Sequence, residues 1–200
     1  MIDLYDFIQS LNEVSLPTDI INPGASGIAS NILWQTWKVK KGQRFVTCFN
    51  LGEMGAGLPY SIGAALATGR RVLHIEGDGG FQLNIQELET IHRLQLPIIM
   101  FIINNNGYHS IRLSQLASFG RLTGADNTSG LTLPSIIRVA GAYDIGCGII
   151  NSLDDFDEVV NVPVPYIWEV LADPNQQYHH RVKSKLVNGV MTTAQMDEVE

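Results

Sequence analysis

The strongest constraint on the fold is a strand–turn–helix–strand–turn pattern between residues 71 and 112. Apolar runs at 72–75 and 98–103 predict two strands, and apolar residues at helical spacing within 85–91 predict a helix between them. Asn84, followed by Glu87 three residues later, resembles a capping box at the start of this helix. The first run ends at a Gly-Asp-Gly-Gly turn, and the second ends at Asn-Asn-Asn-Gly. Because a βαβ unit crosses over with a right hand, we expect both turns to emerge at the same edge of a parallel sheet.

The rest of the chain repeats this alternation of short apolar runs and amphipathic segments. It predicts six strands, at 19–22, 44–49, 72–75, 98–103, 146–150 and 166–171. It also predicts helices at 2–11, 28–37, 58–66, 136–143 and 153–160, and a loop at 118–133. Strands that alternate with helices are typical of a doubly wound α/β fold. We therefore predict a six-stranded parallel sheet with helices on both faces in one domain, at 1–174, followed by a polar C-terminal tail at 175–200.

The two turns of the central unit carry oxygen ligands suited to a metal ion. Asp78 offers a carboxylate, Asn105 an amide oxygen and Gly107 a backbone carbonyl, and three such hard oxygens suit Mg²⁺. The first turn is also rich in glycine, which allows positive φ and close approach of a ligand to the backbone: Gly77, Gly79 and Gly80. The following helix would point its N-terminal N–H groups at the same place, which favours a diphosphate. For either turn alone, an ordinary turn is the alternative.

Taken together, with a strand before each turn and a helix after the first, the two turns resemble the GDG-to-NN signature of thiamine diphosphate enzymes. In that family the corresponding residues hold Mg²⁺ on the cofactor diphosphate, which implies this role for Asp78, Asn105 and the carbonyl of Gly107. The upstream segment Leu-Gly-Glu-Met-Gly-Ala-Gly-Leu-Pro at 51–59 is similar to the segment that grips the aminopyrimidine in acetolactate synthase and its relatives. The chain is thus identified as resembling the diphosphate-binding domain of that family, over nearly its full length.

The resemblance assigns further roles at the cofactor. Met54 occupies the place of the apolar residue wedged between the two thiamine rings, and the carbonyl of Gly52 and the N–H of Met54 would bond the pyrimidine edge. Composition alone would make Met54 a core residue. Ser26 is a candidate for a second diphosphate contact, with an ordinary helix cap as the alternative. Tyr108 and His109 should face the cofactor or substrate; the His109 imidazole could titrate near neutral pH, although a lone histidine is more often a packing residue.

The resemblance also implies an enzyme, a lyase or transferase that decarboxylates and joins small 2-oxo acids as acetolactate-synthase-type enzymes do. Thiamine chemistry needs a carboxylate on the pyrimidine nitrogen, and in the family this glutamate belongs to a separate pyrimidine domain, usually of the neighbouring subunit. The glutamates of this chain do not obviously replace it. We therefore expect a pyrimidine-binding domain or subunit as partner, in a homo- or hetero-oligomer. The alternative is that the chain is a piece of a longer enzyme whose N-terminal domains supply this glutamate.

Two other functions remain open at this point. The chain could be one half of a split 2-oxo acid decarboxylase of the phosphonopyruvate or sulfopyruvate type. It could also be a non-catalytic subunit that binds the cofactor for regulation. A partner that carries the pyrimidine-domain glutamate would separate both enzymes from the regulatory subunit.

Charge and composition bear on other classes of partner and on location. The net charge of −7 argues against nucleic acid, and no apolar run approaches the ~20 residues needed to span a bilayer. Cys48 and Cys147 lack CxxC spacing and sit in apolar surroundings, which predicts buried free thiols in a reducing compartment. Asp3 and Asp6 interrupt any N-terminal signal sequence. We therefore predict a cytoplasmic protein.

Overall fold

The computed structural model describes residues 1–24, 27–47, 51–154, 156–179, 184–188 and 190–193. These residues form a six-stranded, fully parallel sheet and a separate antiparallel hairpin near the C-terminus. The strands are β1 (Ile20–Asn22), β2 (Arg44–Phe45), β3 (Val72–Gly77), β4 (Ile98–Asn104), β5 (Gly146–Ile150), β6 (Tyr166–Leu171), and, in the hairpin, β7 (Ser184–Val187) and β8 (Val190–Thr193). The predicted α/β class and its six parallel strands are confirmed.

Helices connect the sheet strands. Among the described residues the α-helices are α1 (Leu4–Val14), α2 (Gly27–Thr36), α3 (Gly57–Thr68), α4 (Asp78–Phe81), α5 (Glu87–Arg93), α6 (His109–Phe119) and α7 (Ile136–Ala142). Short 3-10 turns occupy Gln82–Asn84 and Phe156–Val160. None of the described helices is both long and apolar enough to cross a membrane.

Strand β4 shows how the helices cover both faces of the sheet. Its odd-numbered side chains within 98–103 join a core built with α1 and α2, and its even-numbered side chains join a second core built with α3, α5 and α7. All six of these residues are fully buried. A parallel strand buried on both faces reads as a continuous apolar run, which is why the sequence pattern identified β4 so clearly.

The strand order places a ligand crevice at one point of the sheet edge. The order is β2-β1-β3-β4-β6-β5. The chain moves outward from β1 to β2 and then returns to start β3 on the other side of β1, so the order reverses between β1 and β3. Open α/β sheets bind ligands at such a switch point, outside the carboxyl ends of the strands.

Several elements differ from the sequence expectation. The segment 153–160, predicted as a helix, contains only a short 3-10 turn. Helix α6 was not predicted, and because it continues to Phe119, the loop predicted at 118–133 begins later than expected. Gly120 ends α6 with a left-handed φ of +63°. Cys147 is free but only half-buried, which corrects the expectation of a buried thiol, whereas Cys48 lies outside the described residues.

The first residues of the predicted polar tail pack against the N-terminal helix. Gln176 is buried, and its side-chain oxygen accepts a hydrogen bond from the backbone N–H of Leu4 at 3.0 Å. Its amide donates to the carboxylate of Asp3, the residue that caps α1, at 3.0 Å. The segment that follows β6 is therefore fixed to α1 at the carboxyl edge of the sheet.

Candidate functional site

A cavity of about 280 Å³ opens at the switch point, at the carboxyl edge of the sheet. Its wall is formed by the turns after β1, β3 and β4 and by the segment before α3. Ser26, the candidate from the turn after β1, lies outside the described residues, although Gly27 reaches the cavity. The structure brings the other predicted site residues together around the cavity: Gly52, Met54, Gly77, Asp78, Gly79, Gly80, Asn105, Gly107, Tyr108 and His109.

Asp78 is a buried carboxylate held between two turns. It begins α4 directly after β3, and it is 4% exposed. Its oxygens accept hydrogen bonds from the backbone N–H groups of Gly79 at 2.8 Å and Gly107 at 3.0 Å. Burial raises the pKa of this carboxyl to about 6, even though both N–H groups act to lower it. Asp78 therefore ties the turn after β3 to the turn after β4 and presents a carboxyl group that a cation would favour in its charged form.

Asn105 supplies the observation that points to a metal ion. Its Oδ1 is buried and has no hydrogen-bond partner among the described residues. Leaving a buried acceptor unpaired costs about 1–3 kcal/mol, so a ligand that bonds this oxygen would remove a penalty. The third predicted ligand, the carbonyl of Gly107, already accepts a hydrogen bond from the N–H of His109 at 3.0 Å and retains a second lone pair.

The donor set fits Mg²⁺ better than a transition metal. The described residues contain no group of three or more His, Cys, Asp or Glu side chains that could hold a metal ion. A metal at this place would therefore be bound by one carboxylate together with neutral oxygens. Mg²⁺ is usually bound in this way, with positions left for phosphate oxygens and water.

The glycines of the first turn do not adopt an unusual backbone conformation, and two of them, Gly79 and Gly80, leave room for neighbouring side chains. Gly77 has a φ of −77°, and Gly79 and Gly80 lie inside α4, so the expectation of positive φ was wrong. A Cβ at Gly79 would collide with the ring of Tyr108. The absence of a side chain at Gly79 thus lets the Tyr108 ring come over the turn and form part of the cavity wall.

The helix start after the first turn also differs from expectation. The sequence suggested that Asn84 and Glu87 form a capping box, but α5 begins at Glu87 behind Gln86, with no side-chain cap. The Asn84 amide instead donates to the carbonyl of Gly55 at 2.8 Å. This bond fixes the segment that was predicted to grip the pyrimidine against the turn after β3.

Met54 lies at the mouth of the cavity and not in the core. Its side chain is 37% exposed, and its Cε approaches the space beside Gly79. The neighbouring Gly52 and Gly55 adopt positive φ values of +59° and +90°, which shape a sharp turn around Met54. The composition-based reading of Met54 as a core residue is therefore wrong.

His109 is a buried residue of the cavity wall. It is 4% exposed, and its Nε2 lies 2.8 Å from the carbonyl oxygen of Gln176. Since a carbonyl only accepts hydrogen bonds, Nε2 carries the proton and donates it. The ring also makes an edge contact with Tyr178, at 6.2 Å between centroids. The segment after β6 therefore fixes both the orientation and the tautomer of His109.

Glu76 is a cavity residue that sequence reasoning treated only as the end of a strand. It is 2% exposed, and its Oε2 lies 3.4 Å from Nε2 of His74. His74 is fully buried, and burial lowers its pKa to about 3, so its imidazole is neutral. The Glu76 side chain occupies space that a Cβ at Gly24, Gly57 or Gly80 would need. An acidic residue inside an otherwise apolar strand was the signal that could have found it.

Comparisons with known proteins agree with this geometry. Residues 25–162 match the family model described as thiamine pyrophosphate enzyme, C-terminal TPP binding domain. The acetolactate synthase large subunit of Pyropia yezoensis is 34% identical over 149 residues, covering 73% of this chain and 25% of that protein. Acetolactate synthase 2, chloroplastic, of Nicotiana tabacum is 28% identical over 183 residues, covering 86% of this chain and 27% of that protein. The chain spans about a quarter of the length of these curated relatives.

A solved structure shares the fold. The thiamine diphosphate-dependent 4-hydroxybenzoylformate decarboxylase of Rhodococcus jostii RHA1 superposes with a TM-score of 0.74 at 22% sequence identity. The superposition covers 88% of this chain and 33% of that chain. At this identity the likeness shows the fold alone.

Proposed function

The chain belongs to the thiamine pyrophosphate enzymes, as a C-terminal TPP-binding domain, and from this premise we propose that it carries the magnesium- and diphosphate-binding half of an active site for 2-oxo acids. The observation that carries the proposal is the buried, unpartnered Oδ1 of Asn105. The backbone N–H of the same residue faces the Asp78 carboxylate, so the two predicted ligands are neighbours.

In this proposal the chain binds the cofactor through its metal and its diphosphate. Asp78, Asn105 and the carbonyl of Gly107 would hold Mg²⁺, and the metal would bind the diphosphate oxygens. Gly27, which lines the cavity after β1, would lie close to the diphosphate as well. When bound, thiamine diphosphate supplies the electron sink for breaking and making bonds next to the carbonyl of a 2-oxo acid.

The other residues of the cavity would orient the cofactor and exclude water. The exposed, flexible side chain of Met54 would fill the space between the two rings, and Gly52 would offer its carbonyl to the pyrimidine edge. By holding the cofactor in this way, Met54 would keep reacting groups close together, and such proximity contributes on the order of several kcal/mol in comparable systems. Tyr108 and the buried His109 would face the reacting end.

The carboxylate required at the pyrimidine nitrogen would come from a partner. Glu53, beside Met54, accepts a hydrogen bond from the Tyr60 hydroxyl at 2.9 Å, which holds its side chain towards α3. Glu76 lies inside the sheet against His74. We therefore propose a pyrimidine-binding domain or subunit that completes the site, within a homo- or hetero-oligomer.

Acetolactate-synthase-like chemistry is the activity we propose for the completed enzyme. Support comes from the relatives, which are named acetolactate synthases over this region of their chains. The substrates would be small 2-oxo acids, decarboxylated and joined by a lyase or transferase reaction. Product analysis with pyruvate, alone and with a second 2-oxo acid, distinguishes this activity from simple decarboxylation.

The first test is metal-dependent binding of the cofactor. Thiamine diphosphate with Mg²⁺, at about 100 times the dissociation constant, should add about 2.7 kcal/mol to the free energy of unfolding. For a domain of this size that corresponds to a rise of about 5–10 °C in melting temperature, measured by differential scanning calorimetry. Replacing Asp78 with alanine should abolish the rise.

The matched control is Asp6→Ala, which removes an exposed carboxylate in the first turn of α1 that does not line the cavity. This variant should keep the full cofactor-dependent rise. A wild-type chain that shows no rise with both ligands, or the same rise with the cofactor in EDTA, would contradict the proposed site.

A further inference from the structure

Arg112 is a buried cation that sequence reasoning did not use. It lies in the first turn of α6, directly after the metal turn at 104–107, and it is 8% exposed. Its Nη2 donates hydrogen bonds to the carbonyl oxygens of Asn105 and Pro174, both at 2.9 Å. Its Nη1 donates to the carbonyl oxygen of Asn106 at 3.1 Å. One guanidinium group therefore holds two consecutive carbonyls of the metal turn and one from the segment after β6.

The metal turn needs such support because its backbone conformation is unfavourable. Asn106 has a φ of +62° and Gly107 a φ of +121°. A non-glycine residue in the left-handed region costs about 1–2 kcal/mol and persists only where its surroundings impose it. The direction of the Asn105 side chain and of the Gly107 carbonyl both follow from this backbone.

Other contacts hold the same turn, but none of those described bonds the carbonyls of Asn105 and Asn106. The side-chain oxygen of Asn104 accepts a hydrogen bond from the backbone N–H of Asn106 at 3.2 Å. The side-chain nitrogen of Asn104 donates one to the carboxylate of Glu169, on β6, at 2.6 Å. The N–H of Gly107 is bonded to Asp78. These contacts engage N–H groups of the turn, whereas Arg112 engages its carbonyls.

We propose that Arg112 is a positioning residue of the magnesium site: its guanidinium fixes the turn so that Asn105 Oδ1 and the Gly107 carbonyl face the metal together. This inference rests on the proposed function, because it assumes that the turn binds Mg²⁺. Arg112 does not touch the metal. It acts through the backbone of the turn and, through Pro174, anchors that turn to the segment that also holds His109.

The contacts require the shape of arginine and not only its charge. A planar guanidinium presents several N–H donors in a fixed fork, so it can satisfy three carbonyls that lie in different directions. A lysine ammonium is a compact charge on a flexible stem and cannot hold the same three oxygens in this geometry. The variant Arg112→Lys keeps the positive charge but not the fork of donors, so it distinguishes a geometric role of Arg112 from an electrostatic one.

The test compares Mg²⁺ binding by the wild-type chain with binding by Arg112→Lys and Arg112→Met. Isothermal titration with Mg²⁺ at saturating thiamine diphosphate gives the dissociation constant of the folded protein, and the melting temperature without metal gives the structural effect separately. We expect both variants to weaken Mg²⁺ binding by about tenfold or more, as loss of a group supporting a metal ligand typically does. Saturating Mg²⁺ should restore full binding stoichiometry.

The controls are Arg121→Lys and Arg121→Met, since Arg121 is an exposed arginine just beyond the end of the same helix. Both should bind Mg²⁺ as the wild-type chain does. A lower melting temperature with an unchanged Mg²⁺ dissociation constant in the Arg112 variants would show a merely structural role and overturn the inference. Full rescue by lysine would overturn the geometric argument.

The outcomes also separate this inference from the proposed function. A wild-type chain that does not bind Mg²⁺ with the cofactor refutes the proposed function, and the inference falls with it. A wild-type chain that binds, together with Arg112 variants that bind equally well, refutes the inference alone. If Arg112→Met does not fold, Arg112→Lys, which keeps the buried charge, still gives the decisive dissociation constant.

Discussion

At the scale of single residues, the Asp78 carboxyl makes the stability of the metal-free chain depend on pH. Burial raises its pKa from an ordinary 3.8 to about 6 in the folded chain. The folded state therefore binds a proton that the unfolded state has released, and stability falls as pH rises through this window. Relative to Asp78→Asn, which does not titrate, the wild-type chain should lose about 2–2.5 kcal/mol of unfolding free energy between pH 4 and pH 7.

Urea denaturation of both proteins in EDTA at several pH values measures this difference. The constant cost of replacing a carboxyl with an amide cancels, because only the change with pH is compared. Added Mg²⁺ and cofactor should stabilise the wild-type chain at pH 7 and leave Asp78→Asn unaffected. A difference between the two proteins that stays constant from pH 4 to pH 7 would show that the carboxyl is not buried as described.

Met54 is the residue whose size should matter for turnover. Its exposed side chain at the cavity mouth would keep the cofactor bent, so Met54→Leu should retain activity in the assembled enzyme. Met54→Ala should lower kcat while the affinity for the diphosphate stays the same. Steady-state kinetics and cofactor titration measure the two quantities separately. Leu66→Ala, at an exposed leucine of α3 that does not line the cavity, is the control and should leave kcat unchanged.

At the scale of elements, the start of α3 depends on the absence of a side chain at Gly57. A Cβ there would collide with the carboxylate of Glu76 and with the His74 ring. Both neighbours are buried and cannot move away easily, so Gly57→Ala should lower the free energy of unfolding by about 2 kcal/mol or more.

Gly63 offers the matched control within the same helix. It is exposed, and a Cβ there would meet no atom within 4 Å. Gly63→Ala should therefore raise stability by about 0.5–1 kcal/mol, because alanine has the higher helix propensity. Denaturant unfolding of both variants tests the pair, and a Gly57→Ala protein as stable as Gly63→Ala would contradict the close packing around Glu76.

Helices and strands could be predicted from the sequence where their apolar side chains are buried in a regular pattern. They could not be predicted where exposed apolar residues or tertiary hydrogen bonds break that pattern. Strand β4 was evident because both its faces are buried. Helix α6 was missed because Leu116 and Phe119 are exposed, at 51% and 73%, while the charged Arg112 is buried, so its apolar pattern does not mark a buried face. The capping box failed because Asn84 bonds Gly55 across a tertiary contact that local sequence does not encode.

At the scale of the whole molecule, exposed apolar side chains lie in the cavity wall, at Met54 and Ile111, and in the segments next to it, at Leu51 before Gly52 and at Leu83 against Gly55. Leu51, Leu83 and Ile111 are 82%, 54% and 45% exposed, beside Met54 at 37%. Exposed apolar groups clustered around a binding site usually meet a partner. This surface is where we expect the pyrimidine-binding domain or subunit to cover the cofactor.

The chain alone, with cofactor and Mg²⁺, should therefore bind the cofactor without activating it. Exchange of the C2 proton for deuterium on the bound cofactor, measured by NMR, should be slow for the isolated chain. Adding a partner that carries the missing glutamate should accelerate it. Fast exchange in the isolated chain would contradict the half-site proposal and would make Glu53 the candidate base.

The sheet class could be predicted from the sequence, but the strand order could not. Alternating strands and helices indicate a parallel sheet wherever they occur, and the two polar turns located the site because such turns emerge at one edge. Nothing in the local pattern states that β6 inserts between β4 and β5. Gly146 and Ile149 are exposed because β5 is an edge strand. This explanation requires the strand order, which the sequence pattern does not give.

The packing around Glu76 has a consequence for how this chain and its relatives can diverge. Its carboxylate fills the space of the side chains that positions 57 and 80 lack, whereas Gly24, at a φ of +65°, would stay a glycine in any case. A side chain at position 80 is therefore tolerated only in lineages where position 76 has first been shortened, whereas one at position 57 also requires a smaller residue at position 74. Across an alignment, side-chain length at 80 should vary inversely with side-chain length at 76, and position 57 should change only where both 74 and 76 have changed.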